Sequence, residues 1–250
     1  MVDFIRYTKS DLYKLKYSSF YFIHLALPIC GVGLLLLYTA FSSISELNVV
    51  SSFFQIFAIC YPFVIAIVCN IVEEQEMGAG YSQNLLTLPH RGFAVLSKFL
   101  ILITFGFLAM IGSAALFYIL LPIFRDTAAL SFEIFLFPAL VLWSANIMFY
   151  AVYFMISFRF GKNTCIGLGA VGSLLAALLQ TGLGTGIWFI IPYGIGIHLS
   201  DYALNYALRI EAIQNAEITT AIVICIVLTV LLVIILMIWF RKYSGKHTVE

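Results

Sequence analysis

Six long apolar runs constrain this 250-residue chain more than any other feature of its sequence. A membrane core about 30 Å thick requires roughly 20 helical residues to cross it, because every backbone polar group inside must find its partner within the segment. The runs cover residues 20–41, 53–72, 99–122, 134–158, 165–181 and 218–240. The sequence therefore predicts an all-α integral membrane protein with six transmembrane helices, folded as one domain over residues 1–250.

Composition favours the same class. Only 10% of the residues are charged, whereas a soluble domain has about 25%. The first run lacks a small-residue cleavage site followed by a soluble domain, so we expect a retained helix and not a signal peptide. The five cysteines lie inside the runs without CxxC or His-rich spacing. This pattern predicts buried thiols and supports neither disulfides nor a metal site.

The distribution of Lys and Arg predicts the orientation. If the N-terminus is inside, only Arg125 and Arg209 of the 13 Lys and Arg residues lie outside. Because these residues concentrate on the cytoplasmic side, we expect both termini to be cytoplasmic. The outer carboxylates are Glu46, Asp126, Glu133, Asp201, Glu211 and Glu217. The net charge of +1 thus combines a basic inner face with an acidic outer face and gives no support for nucleic-acid binding.

A long polar interruption covers residues 73–98. Three carboxylates open it, a short half-apolar run of helical character follows, Pro89 ends that run, and cations close the segment. Such a segment belongs at the cytoplasmic membrane surface, where it can contact a soluble partner. The candidate contact residues are Glu73, Glu74, Glu76, Gly78, Leu85, Leu86, Leu88, Pro89, Arg91 and Lys98.

Residues 1–18 are expected to form an interfacial N-terminal helix. Phe4, Leu12 and Leu15 fall on one helical side and most of the cations lie elsewhere, a pattern typical of a helix in the membrane surface. A disordered basic tail is the alternative interpretation.

Residues 182–217 form the longest outer region. Glycines and Pro192 interrupt an apolar stretch that is too short to span the membrane, which predicts an extracellular or re-entrant region. Ser200 is expected to open a short amphipathic helix that continues to about Ile213.

The fifth run has small residues at four-residue spacing, namely Gly169, Ser173, Ala177 and Thr181. Small residues at this period allow another helix to approach closely. The sequence therefore predicts helix packing along this stripe. The spacing leaves open whether the neighbouring helix belongs to this chain or to another.

Several functions are disfavoured by what the sequence lacks. No phosphate-binding loop GxxxxGK[ST] is present, so we do not expect this chain to hydrolyse ATP. The interiors of the runs contain no Asp, Glu, Lys or Arg, which disfavours an ion-coupled carrier. Glu73 and Glu74 resemble the paired glutamates of CAAX-type intramembrane proteases, but Gly78 stands where that family needs an arginine. We predict no catalytic, cofactor-binding or metal-binding residues.

The polar stretch has a family resemblance. An acidic residue, a glycine, a leucine pair, a proline, an arginine and a later lysine resemble the pattern of ABC-2-type transporter permeases, the type V exporters. The matching residues are Glu74, Gly78, Leu85, Leu86, Pro89, Arg91 and Lys98. The six-span length and the wording of residues 84–89 are most similar to the permease subunits of lantibiotic-immunity ABC transporters.

This resemblance implies an ABC-2 permease architecture with several partners. Two copies of a separate ATPase would bind ATP and Mg²⁺, and a second permease, related to this chain but different from it, would complete the membrane part. Residues 73–98 would be the coupling loop, with Leu85, Leu86 and Leu88 in an apolar groove of the ATPase. The charged residues Glu73, Glu74, Glu76 and Arg91 would form a polar rim. The first and fifth spans would contact the second permease.

The resemblance also implies a function. We expect export of a lantibiotic, a cationic antimicrobial peptide, from the plasma membrane of a bacterial producer cell, which would give self-immunity. The acidic outer face would attract such a peptide. The alternatives are an ABC-2 exporter of another drug, lipid or glycan, and a stand-alone membrane immunity protein without transport. An exporter needs an ATPase partner, whereas a stand-alone protein does not.

Overall fold

A computed structural model describes residues 2–41, 45–78, 80, 83–124, 130–210 and 216–245 of the chain. Within these ranges the chain forms ten α-helices and a 3₁₀ turn at Gly182–Gly184. The helices are α1 (Val2–Leu15), α2 (Phe20–Ala40), α3 (Glu46–Gly78), α4 (Gln83–Leu86), α5 (Arg91–Phe124), α6 (Glu133–Ala145), α7 (Ile147–Phe160), α8 (Lys162–Gln180), α9 (Pro192–Ala207) and α10 (Ala216–Lys242).

Six helical segments of the described residues are long and apolar enough to cross a membrane. They are Phe20–Thr39, Glu46–Gly78, Arg91–Phe124, Glu133–Phe160, Lys162–Gln180 and Ala216–Lys242. Each coincides with one of the apolar runs, and the fourth joins α6 to α7. The prediction of an all-helical chain with six spanning helices is confirmed for this part of the chain, and these helices indicate a multi-pass membrane protein.

Two of these helices extend well beyond their apolar runs. α3 has 33 residues and α5 has 34, so each is about 50 Å long at 1.5 Å per residue, against a membrane core of about 30 Å. The polar stretch 73–98 is therefore helical at both ends, where it belongs to α3 and α5, and only its middle contains turns and the short α4. The N-terminal segment is helical as well, in α1.

α3 lies at the centre of the bundle and packs against α2, α7, α8 and α9. Near its N-terminal end Phe53 stacks on Phe117 of α5, with ring centroids 4.5 Å apart, and Phe117 contacts Phe135 of α6 edge to face. Such aromatic rings bury a large apolar area in a defined geometry. α2, α8 and α10 are much less buried and present apolar faces outward, as expected of helices that border lipid.

The fourth span breaks into α6 and α7 at the buried Asn146. Its side-chain Nδ2 donates to the carbonyl oxygen of Leu142 at 2.7 Å, and a side chain that competes for a helical carbonyl in this way bends the helix. α9 passes close to the break because its Gly196 has no side chain. A Cβ at that glycine would lie 2.8 Å from Asn146 Nδ2.

The helix expected to open at Ser200 begins earlier, at Pro192. Proline suits the first helical position because its φ is fixed near the helical value and its missing N–H is not needed there. Gly194, which the sequence suggests is a helix breaker, lies inside the helix and allows close packing. A Cβ there would lie 2.7 Å from the Trp188 carbonyl oxygen. The helix also ends earlier than the expected Ile213: α9 stops at Ala207, and Arg209 two residues later has a left-handed backbone with φ 57°. Ile213 itself lies outside the described residues, and α9 packs against α3, α6 and α8.

The small-residue stripe of α8 begins at an intramolecular contact. A Cβ on Gly169 would lie 2.5 Å from Ala66 Cβ and 3.3 Å from the nearest backbone atom of α3, so α3 and α8 approach closely only because this side chain is missing. The rest of the stripe is more open: Ser173 and Ala177 are half-buried and Thr181 is exposed. The stripe therefore packs at its start within this chain, and its contact with a second permease stays a prediction.

We expect Gly169→Ala to lower the free energy of unfolding by about 1–3 kcal/mol, since a methyl group forced into a filled contact strains its neighbours. Gly167, on the same helix, has open space at its Cβ position, so Gly167→Ala is the matched control. Denaturant unfolding of both variants in a mild detergent measures the difference. Equal stability of the two would contradict the close contact between α3 and α8.

Candidate functional site

Buried charged residues gather where α1, the end of α3 and the start of α5 meet. α1 is amphipathic, and its apolar side packs along α5 with Leu15 buried at the end of the helix. The same side of α1 includes Asp11, which is three residues after Thr8 and four before Leu15. An acidic side chain therefore lies within an otherwise covered surface.

Lys98 of α5 forms the centre of an ion network in this place. Its Nζ lies 2.5 Å from Asp11 Oδ1 and 2.7 Å from Glu76 Oε1, and Lys14 Nζ lies 2.9 Å from the same Glu76 oxygen. Ser97 Oγ donates to the second oxygen of Asp11 at 2.9 Å. We call Asp11, Lys14, Glu76 and Lys98 the four-charge network. It joins residues that are 22 to 87 positions apart in sequence.

The network is charge-neutral and largely removed from solvent. Asp11, Glu76 and Lys98 are 6%, 1% and 4% exposed, while Lys14 reaches partly into solvent. Two carboxylates balance two ammonium groups, which is the arrangement that a buried charge requires. Removing one partner of such a pair leaves an uncompensated charge in an apolar environment, and this is far more costly than losing an exposed pair.

An exposed pair lies nearby for comparison. Glu74 Oε1 and Lys162 Nζ are 2.7 Å apart and join α3 to α8, but their side chains are 46% and 55% exposed. Solvent and salt weaken such a pair. The two ion-paired sites are therefore similar in distance and very different in environment.

The structure divides the predicted contact residues into an inward and an outward group. The inward residues are covered by the chain itself: Glu73, Glu76, Leu85 and Lys98 are buried, and Leu86 and Leu88 are half-buried against the core. Gly78, Glu74 and Pro89 are exposed. Arg91 is half-buried and donates from Nη1 to the Tyr243 carbonyl oxygen at 3.5 Å. The leucines and Glu76 thus face their own chain, where the sequence suggests that they face a partner.

The outward surface includes residues that the sequence interpretation missed. Gln83, Thr87 and His90 are exposed beside Pro89. We call these four residues the exposed tip. Gln83, Thr87 and His90 were overlooked because a leucine pair in a polar stretch draws attention to the leucines. No local pattern shows that the chain itself covers those leucines. Residues 79, 81 and 82 lie outside the described part of the chain.

A cavity of about 280 Å³ lies between α1 and the segment that contains α4. Asp11, Glu76 and Lys98 form its polar floor, and Leu85 and Leu88 form part of its wall. The segment that contains α4 and α1 therefore line one cavity together, beside the same charges.

Some of the acidic residues that the sequence predicts to lie outside form hydrogen bonds within the chain. Asp201 Oδ1 accepts a hydrogen bond from Ser51 Oγ at 3.3 Å, and Glu217 Oε2 accepts one from Trp188 Nε1 at 3.1 Å. Glu133 is exposed and Glu46 is half-exposed. Asp126 and Glu211 lie outside the described residues.

No family model, curated protein or solved structure matches this chain. Across the part of the chain that the structure describes, no group of three or more His, Cys, Asp or Glu side chains is placed to hold a metal ion. The class that the fold defines is an all-helical, multi-pass membrane protein. Its distinguishing site is a short exposed segment mounted on two long helices whose ends share a buried ion network.

We expect Lys98→Met to lower the free energy of unfolding by about 3–5 kcal/mol, because Asp11 and Glu76 would remain buried without their shared cation. The triple variant Lys98→Met, Asp11→Asn, Glu76→Gln removes those charges and is expected to regain most of the loss. Unfolding in mild detergent at constant pH measures both.

Glu74→Gln is the matched control for this prediction, since it breaks the exposed pair with Lys162 at a similar distance. We expect it to leave the melting temperature unchanged. If Lys98→Met were as stable as Glu74→Gln, burial would add nothing to the four-charge network.

Proposed function

We propose that this chain is the membrane-spanning permease subunit of an ATP-driven ABC exporter, with the ATP hydrolysed on a separate partner chain. The observation that supports this best is the exposed tip, held between the ends of two helices that are each about 50 Å long. A membrane protein driven by a soluble ATPase needs a surface outside the membrane that is rigidly connected to its spans. α5 begins directly after His90 and connects the tip to the third span, and α3 ends at Gly78, five residues before Gln83.

The details of the tip fit a docking role. Pro89 and His90 are exposed, while Leu85 beneath them is buried. Leu85 anchors the segment on its own chain, while Pro89 and His90 stay accessible. A partner can therefore bind without first ordering the segment. The family resemblance gives the kind of partner, which is an ATPase present in two copies with ATP and Mg²⁺.

The apolar outward faces of α2 and α8 support a second membrane partner. Leu34 and Leu37 on α2 and Leu174 and Leu178 on α8 are exposed. We propose that a related but different permease subunit covers part of these faces, with lipid covering the rest. Ser173, Ala177 and Thr181 would then pack against it, whereas Gly169 is already used by α3.

For the substrate we propose a lantibiotic that is taken from the plasma membrane of the bacterial producer cell and returned to the medium. The acidic outer residues support a cationic substrate, and the proposed function is producer self-immunity. A lipid exporter is the second candidate. It is favoured by an apolar groove of about 450 Å³ between α6, α9 and α10, which includes Val141, Leu199 and Ile218.

We expect the chain, expressed with its neighbouring genes and isolated in mild detergent, to co-purify with an ATPase. The double variant Thr87→Asp, His90→Asp should lose that ATPase, because two carboxylates on the exposed tip would have to be desolvated in the contact. Both positions are exposed, so the variant should retain the melting temperature of the wild type. Quantitative immunoblotting of the purified complex measures the loss.

Ser131→Asp is the control for this experiment, since it places a carboxylate on an exposed residue just before α6. Its neighbour Phe132 packs on Tyr118, 27 residues along α5 from Arg91, so this position is far from the tip. The control variant should keep the ATPase. If no ATPase co-purified with the wild-type protein in several detergents, the proposed exporter function would be wrong. The chain would then be better explained as a stand-alone membrane immunity protein.

We also expect Glu46→Gln, Glu133→Gln to reduce tolerance to a cationic lantibiotic by about two- to thirtyfold at low ionic strength, because each of the two exposed charge contacts is worth about 0.2–1 kcal/mol. The effect should shrink in 0.5 M salt, where the screening length is only a few Å. Growth inhibition at the two salt concentrations measures it. Unchanged tolerance at low salt would contradict the proposed electrostatic attraction. If deletion of the whole chain left tolerance unaffected, the lipid exporter would be favoured.

A further inference from the structure

We propose that α1 is a moving part of the coupling apparatus, tied to α3 and α5 by the four-charge network, so that displacement of the exposed tip reaches the first span through α1. This inference rests on the proposed function. The network brings together three helices that are separate in sequence, and each contributes a buried charge: Asp11, Glu76 and Lys98. A tie of this kind makes the three helix ends behave as one body.

The first step of the path is short. Pro89 and His90 of the exposed tip directly precede α5, and Lys98 lies only two turns into that helix. A helix is stiff over this distance because each residue is hydrogen-bonded to the next turn. Movement of the tip therefore moves Lys98, and with it the carboxylates of Asp11 and Glu76.

The second step runs from α1 to α2. Only four residues, 16–19, connect the two helices, and they are held by local hydrogen bonds. Ser18 Oγ donates to the Leu15 carbonyl oxygen at 2.8 Å, and Tyr21 Oη donates back to the Leu12 carbonyl oxygen at 3.3 Å. The joint is thus well ordered, so α2 follows a displacement of α1.

A direct contact between α2 and α5 completes a set of three helices, α1, α2 and α5, in which each is connected to the other two. Phe105 of α5 packs against Phe20, Tyr21 and His24 of α2, with ring centroids 5.2 to 5.7 Å apart. α2 is therefore held to α5 both directly, through aromatic packing, and indirectly, through α1. Loss of the network would break the contact between α1 and α5 and leave the aromatic contact between α2 and α5 intact.

The two ion-paired sites resist separation to different degrees. Separating Lys98 from Asp11 would leave unpaired charges in an apolar interior, whereas separating Glu74 from Lys162 returns both groups to water. The network therefore holds α1 to α5 through its charges, while α8 is held to α3 mainly by the close packing at Gly169.

The experiment measures distances between spin labels in the complex with its co-purified ATPase, before and after trapping with ATP and vanadate. Labels at Tyr13→Cys on α1 and Leu100→Cys on α5 are each paired with a reference at Phe160→Cys; all three positions are exposed. The exposed Cys30 and Cys60 are replaced by Ala. In the wild type we expect both distances to change on trapping.

The variant Asp11→Asn keeps a side chain that can accept from Ser97 and leaves Lys98 paired with Glu76, so the fold should persist. We expect its α5 distance to change as in the wild type, while the change of its α1 distance falls to less than half. Asp11→Glu should restore the α1 response. Lys9→Gln, which removes an exposed charge from the same helix, should behave as the wild type.

Two outcomes of trapping would overturn the inference alone: an α1 distance in Asp11→Asn that changes as much as in the wild type, or an α1 distance in the wild type that does not change while the α5 distance does. If the wild-type complex contains no ATPase, the proposed function fails first and the inference falls with it. A distance in Asp11→Asn that differs from the wild type before trapping would show a static displacement of α1, which also contradicts a role confined to transmission.

Discussion

The burial of one ammonium group between two carboxylates determines how this end of the molecule is built. Lys98 is 4% exposed and lies within hydrogen-bonding distance of Asp11 and Glu76. Because such a charge is tolerated only with partners at the same depth, α1, α3 and α5 must end close together. The position of the exposed tip therefore depends on ion pairs between these three helices, and none of the charged residues belongs to the tip itself.

The spanning helices could be predicted from the sequence because the length of an apolar run is a property of contiguous residues. Helix ends are different, since a polar residue can continue a helix only where something in space satisfies it. α3 runs on to Gly78, beyond the apolar run that ends at residue 72, and its Glu76 is balanced by Lys14 and Lys98. Those partners come from distant parts of the chain, and no local pattern reveals them.

The same limit explains the candidate site. The leucine pair indicates an apolar face, but only the structure shows that Leu85 is covered by this chain. The spacing of Gly169 indicates a close helix approach without identifying α3 as the neighbour. Asp11 gave a usable signal that the sequence interpretation left aside: it lies on the apolar side of α1, between Thr8 and Leu15, where a charge needs a buried partner.

The length of α3 makes bilayer thickness relevant to the exposed tip. Residues 49–72 of this helix are mostly apolar and span about 36 Å, which exceeds a core of about 30 Å, so hydrophobic mismatch favours tilt. Since Glu76 and Lys98 join α3 to α5, both helices tilt together. Over about 50 Å, a change of about five degrees shifts the far end by about 4 Å. Membranes of different thickness would therefore present the tip at different lateral positions.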